Sequence, residues 1–93
     1  MEKLLNDFRR RLSEYRSKRI DTEVSIHINA MEIALNLSEY AHFNNRKVQK
    51  EEQKWFDAGL QLEYVFGGSE WEDLLEYYND LQLALKKRCL FEN

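Results

Sequence analysis

The 93-residue sequence contains no proline, three glycines and one cysteine. Because proline and glycine are the residues that interrupt helices most strongly, their scarcity favours long helices joined by short turns. Two of the glycines, Gly67 and Gly68, are adjacent, so one point in the chain is the clearest break. The lone Cys89 excludes an internal disulfide, and we expect it to be a core or interface residue of a protein from a reducing compartment.

Long apolar runs are also missing, and the start of the sequence does not have the pattern of a secretory leader. No uninterrupted apolar stretch approaches the roughly 18–20 residues that span a bilayer. The chain does not start with a charged segment followed by an apolar one, as a signal peptide does. We therefore expect a cytoplasmic protein without membrane contact. The content of 43% hydrophobic and 33% charged residues predicts a single folded helical domain over residues 1–93.

Apolar residues recur with helical spacing in segments that span about 2–19, 22–43, 46–66 and 70–88. The last segment follows Ser69, and Glu72 three residues later completes a capping-box pattern for a helix start. Four helices with short connections predict an all-α fold, a small antiparallel helical bundle.

The segment 22–43 differs from the others because it is apolar on two sides. One side carries Val24, Ile28, Met31 and Leu35, and the other carries Ile26, Ala30, Ile33, Leu37 and Tyr40. A helix with two apolar sides needs two neighbours, which predicts a central position. The alternation from Val24 to Ile28 also fits a strand. We favour the helix, because the sequence offers no second strand to satisfy the backbone of the first.

Charge is distributed unevenly within a net charge of −3. Residues 1–19 hold seven basic and three acidic side chains, whereas residues 20–43 hold four acidic and no basic ones. Residues 67–93 hold six acidic and three basic side chains. The first helix is therefore basic within an acidic chain, and much of its charge is expected to meet acids of the second and last helices, within the fold or across a dimer.

Catalytic and metal-binding patterns are absent from the sequence. His27 and His42 lie fifteen residues apart, too far for one helical face to present both to a metal. Cys89 falls near the end of a predicted helix, where the helix dipole disfavours a thiolate. No glycine-rich phosphate loop occurs. We expect a protein that is not an enzyme and that needs no cofactor or metal.

Two acidic helix faces are candidate surfaces for a protein partner. The proposed contact residues are Glu32, Glu39, Asp73, Glu76, Tyr77 and Asp80. Regularly spaced carboxylates beside an aromatic side chain favour association with a basic surface. In size, acidity and lack of catalytic groups, the chain resembles small toxin-neutralising proteins: bacterial immunity proteins, antitoxins and phage inhibitors. This resemblance in build, which involves no family motif, implies a basic protein partner such as a nuclease toxin.

Two other hypotheses use different features of the chain. A nucleic-acid-binding or transcription-modulating protein would use the basic first helix, with Arg9, Arg10, Arg16 and Arg19 as phosphate contacts. A self-associating protein would use one apolar face of the second helix. The two Trp, five Tyr and five Phe residues exceed what a small helical core needs, so they also favour an interface, with a second copy or with a foreign protein.

Overall fold

The computed structural model describes residues 1–18, 22–56 and 69–93, with the backbone alone at 22–27 and 69–71. The fold is a small all-α helical bundle, as the sequence predicts. Its described helices are α1 (Glu2–Lys18), α2 (Thr22–Asn44) and α3 (Ser69–Lys87). None of the described helices is long and apolar enough to cross a membrane.

Helix α1 packs against both other helices through one apolar stripe. The stripe consists of Leu5, Phe8, Leu12 and Tyr15, all buried. Ion pairs join Arg9 to Glu39 and Arg16 to Glu32. A later residue of α1 thus pairs with an earlier residue of α2. Helix α1 is therefore antiparallel to α2. Contacts of α1 with α3 show the same opposite order, which makes α1 antiparallel to α3 as well.

The helical interpretation of the segment after Thr22 is confirmed, because α2 is continuous and includes residues 24–28. One of its two predicted apolar sides is fully buried at Ile28, Met31 and Leu35. The other side changes along the helix, from buried Ala30 to Tyr40, which is 51% exposed. Half of the two-sided pattern thus forms core, and the C-terminal part of the second side faces solvent.

The prediction of a helix over residues 46–66 is wrong in its first part. Helix α2 ends at a turn where Asn45 has a positive φ of 51°, a conformation that asparagine tolerates well. Residues 46–53 are not helical, and helix resumes at 54–56. The polar run after Arg46 offers no repeated apolar positions before Trp55, so no helix face there could be buried. The rest of the predicted segment, together with Gly67 and Gly68, lies outside the described residues.

Val48 lies in the segment that was predicted to be helical, and it is buried without a helix. It forms an isolated parallel bridge with Phe91, near the end of the sequence. The N–H of Val48 donates to the carbonyl of Leu90 at 2.6 Å, and the N–H of Glu92 donates to the carbonyl of Val48 at 2.8 Å. These bonds satisfy backbone groups that a helix would otherwise have paired internally.

Helix α3 matches its predicted range closely. Cys89 does not lie in the core, which was one of the two positions expected for it. Cys89 is exposed and has a positive φ of 55° immediately after the helix. This left-handed residue turns the chain away from the α3 axis, so the thiol does not join the buried side chains of the helix, which are Leu74, Leu75, Tyr78, Leu81 and Leu85. Leu90 is buried instead, and its N–H donates to the carbonyl of Leu85 at 2.9 Å.

Tyr78 of α3 lies in the middle of the core and is fully buried. Its ring contacts Phe8 of α1 and stacks on Phe56, with centroid distances of 6.1 and 6.2 Å. Its hydroxyl donates to the carbonyl oxygens of Trp55, at 2.8 Å, and of Phe56. The residue therefore joins α1, α3 and the helical turn at 54–56 by apolar and polar contacts together.

We expect the substitution Tyr78→Phe to lower the free energy of unfolding by about 1–2 kcal/mol, because it removes the donor from buried carbonyl groups. The matched control is Tyr40→Phe, which removes a hydroxyl from a half-exposed ring and should change stability by less than about 0.5 kcal/mol. Urea denaturation monitored by circular dichroism measures both. Equal midpoints for the two variants would contradict the structural role of the Tyr78 hydroxyl.

Candidate protein-binding surface

The acids predicted on α2 lie at the contact between α1 and α2. The Nε of Arg9 donates to Oε1 of Glu39 at 2.9 Å, and its Nη2 donates to Asn36 Oδ1 at 2.7 Å. One side chain of α1 thereby engages two polar groups of α2. The carboxylate of Glu39 is consequently neutralised within the molecule.

A second arginine repeats this arrangement two turns along α1. The Nη2 of Arg16 lies 3.1 Å from Oε2 of Glu32 and 2.6 Å from Oδ1 of Asn29. Glu32 and Glu39, both predicted as partner contacts, are thus occupied by α1. The expectation that the basic first helix meets acids within the fold describes this contact correctly.

Asp73 of α3 also has a partner on α1. Its Oδ2 lies 3.7 Å from Nε of Arg11. A hydrogen bond with Tyr77 is the main cause of a raised pKa for the Arg11 guanidinium, and the charge of Asp73 is the next cause. The contact of Arg11 with Asp73 thus joins α3 to α1. Tyr77 lies beside Asp73 because the two residues are four positions apart on α3.

Four of the six predicted contact residues come together on α3. Asp73, Glu76, Tyr77 and Asp80 line one shallow cleft with a volume of about 170 Å³, which we call the acidic cleft. Glu76 and Asp80 are exposed, and neither forms an ion pair with any side chain in the described ranges. The cleft thus combines one partly neutralised carboxylate with two that have no ion-pair partner among the described residues.

Tyr77 is held in this cleft by its ring. Its ring meets Phe8 of α1 edge-on, at a centroid distance of 6.3 Å and an interplanar angle of 72°. The side chain is only partly buried, so one edge remains accessible. A rigid aromatic group beside carboxylates loses little entropy when a partner binds, which suits it to an interface.

The arginines of the nucleic-acid hypothesis do not form a free basic surface in the described part of α1. Arg9 and Arg16 are engaged by acids of α2. Arg10 is the most exposed of them, with 63% of its side chain accessible, and it lies 3.5 Å from Asp7 on its own helix. Arg19 lies outside the described residues. Phosphate groups would have to displace existing carboxylate partners to bind here.

The sequence did not predict one surface feature, a groove beside Tyr40 and Arg46. The guanidinium of Arg46 lies 5.1 Å from the centre of the Tyr40 ring, and its Nη1 is 3.2 Å from Oε1 of Glu52. A groove beside these residues is also lined by Ile33 and Leu37 of α2. The sequence patterns could not predict this groove, because they indicated one helix over residues 46–66. Arg46 and Glu52 approach each other only because the chain turns between them without forming a helix.

The structure offers no metal centre within its described ranges, where no cluster of three or more histidine, cysteine, aspartate or glutamate residues could hold a metal ion. His42 contacts Arg88 through Nδ1 and lies 3.7 Å from Glu2 through Nε2. His27 has no described side chain, so its predicted isolation stays a prediction.

Comparison with protein-family models, with curated proteins and with solved structures finds no match to this chain. The choice of a functional surface therefore depends on the geometry and charge of the chain itself. On both criteria the acidic cleft of α3 is the strongest candidate among the described surfaces.

A double-mutant cycle with Arg9→Ala and Glu39→Ala tests whether this pair belongs to the fold. We expect a favourable coupling of about 0.2–1 kcal/mol at low salt, because the pair is partly exposed. The coupling should shrink at high salt as the charges are screened. Unfolding free energies at two salt concentrations provide the measurement.

The substitution Arg10→Ala is the control for that cycle, since Arg10 is highly exposed and forms no ion pair with a described side chain of α2. It should change stability by less than about 0.5 kcal/mol. Absence of any coupling between Arg9 and Glu39 at low salt would mean that Glu39 is available to a partner after all.

Proposed function

We propose that this chain is a non-catalytic protein-binding module that binds and blocks a basic protein through the acidic cleft of α3. The observation that carries the proposal is the position of Glu76 and Asp80. Both carboxylates are exposed without an ion-pair partner in the described ranges, whereas Glu32, Glu39 and Asp73 are engaged by arginines of α1. The fold thus leaves a concentrated negative charge at one place.

Glu76 and Asp80 do not stabilise helix α3 itself. Glu76 and Asp80 are four residues apart on one face, and like charges at this spacing destabilise a helix by about 0.2–0.5 kcal/mol. The helix dipole favours acids only within the first turn, and both residues lie beyond it in a helix that starts at Ser69. A basic partner would offset the repulsion between the two carboxylates, because its positive charge would attract both of them.

Nucleases and other proteins that act on nucleic acids are the partner class we favour, because they present cationic surfaces to phosphate groups. An acidic cleft with a fixed tyrosine would compete for such a surface. Opposite charges would also accelerate association, since they steer the two proteins towards each other. Under this proposal the chain is an immunity- or antitoxin-type inhibitor, as its small acidic build suggested.

We also propose a cytoplasmic location for this activity. The free thiol of Cys89 is exposed. Exposed thiols persist in reducing compartments and become oxidised or paired elsewhere. The nucleic-acid-binding alternative gains no support from Arg9, Arg10 and Arg16, each of which has a carboxylate partner, and we do not adopt it.

The charge reversal Glu76→Lys with Asp80→Lys should abolish capture of the partner. The experiment is a pull-down with the tagged full chain from lysate of the organism that encodes it, with nuclease treatment. The captured protein is then purified and titrated calorimetrically. We expect at least about 100-fold weaker binding for the double variant, because reversal replaces attraction by like-charge repulsion.

The matched control is Glu51→Lys, which changes one exposed acid in the turn between α2 and the helical turn at 54–56. It should bind like the wild type. If Glu76→Lys/Asp80→Lys captures the same protein with unchanged affinity, the acidic cleft is not the binding surface. If nuclease treatment removes everything captured, the ligand is nucleic acid and the proposal fails.

A further inference from the structure

A second cleft lies where the end of α3 meets the helical turn at 54–56. Its volume of about 340 Å³ falls within the range of about 300–1,000 Å³ that is typical of small-molecule sites. Two of its walls are aromatic: Phe56, which is buried, and Phe91, which is partly exposed. Their rings meet edge-on at a centroid distance of 5.2 Å. We call this the aromatic cleft, and its lining includes Gln53, Phe56, Gln82, Lys86, Phe91 and Glu92.

Hydrogen bonds fix the wall that Phe91 and Glu92 form. The Nε2 of Gln53 donates to the carbonyl of Glu92 at 2.6 Å. The backbone N–H of Glu92 donates to the carbonyl of Val48 at 2.8 Å. The wall is therefore positioned by the chain itself, and a site whose walls are already fixed loses little entropy when a ligand enters.

Gln82 of α3 carries an unsatisfied donor beside the aromatic cleft. Its Nε2 is buried and has no hydrogen-bond partner in the described part of the chain. Such a group costs free energy, and nearly all buried donors in native proteins are paired. The side chain as a whole is partly exposed and lines the cleft. Rotation about its last torsion, which is soft, turns the donor towards an acceptor bound there.

Two opposite charges line the same cleft without pairing with each other. Lys86 lies one turn after Gln82 on the same side of α3, since the two are four positions apart. Lys86 and Glu92 are both exposed, and neither forms an ion pair within the described ranges. The cleft therefore combines an ammonium group and an amide donor on α3, a carboxylate on the opposite wall, and two aromatic rings.

We propose that the aromatic cleft binds a free α-amino acid with an aromatic side chain. The ligand carboxylate accepts from Lys86 and from the amide of Gln82, and the ligand ammonium lies at the carboxylate of Glu92. The ligand ring packs on Phe56 and Phe91, in the edge-on or offset arrangements that aromatic groups favour. A zwitterion selects itself here, because an anion or a cation alone would meet one like charge of the cleft.

This inference does not depend on the proposed function. Gln82 and Lys86 lie about 120° around α3 from Glu76 and Asp80 at 100° per residue. The aromatic cleft and the acidic cleft have no lining residue in common. Failure of either proposal therefore leaves the other unchanged.

The test is a titration of the isotope-labelled full chain with L-phenylalanine, followed by NMR. We expect saturable shifts of the Gln82 side-chain amide and the Phe91 backbone amide, with a Kd between about 10 μM and about 1 mM. Three related compounds each lack one group: L-alanine the ring, N-acetyl-L-phenylalanine the ammonium, and L-phenylalanine amide the carboxylate. Each should bind at least about tenfold more weakly.

The variant Gln82→Met nearly keeps the volume of the side chain and removes the donor. It should weaken binding of L-phenylalanine about tenfold, because the ligand carboxylate loses one hydrogen bond. It should also raise the urea midpoint of the unliganded chain, because a buried unsatisfied group is gone. A glutamine with a purely structural role would instead lower the midpoint when replaced.

The variant Lys86→Met should also weaken binding about tenfold, since the ligand carboxylate loses its cation. Its matched control is Lys87→Met, which changes an exposed lysine that does not line the cleft and should bind like the wild type. No shift of the cleft residues at about 10 mM L-phenylalanine would overturn the proposal. So would equal binding of any of the three related compounds, unchanged affinity of Gln82→Met or Lys86→Met, or a lower urea midpoint for Gln82→Met.

Discussion

The buried ring of Tyr78 is the contact on which the described structure depends most. It touches Phe8 of α1 and Phe56, while its hydroxyl binds the carbonyl oxygens of Trp55 and Phe56. An aromatic side chain with a satisfied hydroxyl combines a large apolar surface with directional bonding. It therefore fixes where α1, α3 and the turn at 54–56 lie relative to one another.

The position of α1 then determines which charges remain free. Because α1 is antiparallel to α2, Arg9 and Arg16 lie opposite Glu39 and Glu32. Contact with α3 brings Arg11 to Asp73 near the start of that helix. These arginines of α1 are thus paired with acids of α2 and α3. Glu76 and Asp80, further along α3, keep their negative charge without an ion-pair partner in the described ranges.

Much of the secondary structure could be predicted from the sequence, because helical spacing is a local property. The single stripe of α1, the extent of α3 and the helical nature of residues 24–28 all depend on residues three or four positions apart. The same spacing placed Asp73, Glu76 and Asp80 on one face, and the structure brings them to one cleft. Their role as partner contacts stays a prediction. Local spacing failed at Val48, where a lone apolar residue in a polar run is buried by the bridge to Phe91.

The sequence by itself determined the helices and the residues that share each helix face, since both follow from the geometry of a single turn. Only the tertiary structure decided which charged groups are paired, because residues such as Arg9 and Glu39 are 30 positions apart and meet through helix packing alone. It likewise exposed Cys89, through a left-handed residue that no periodic pattern encodes. The free acids of α3 are therefore a property of the fold, although each of them could be seen in the sequence.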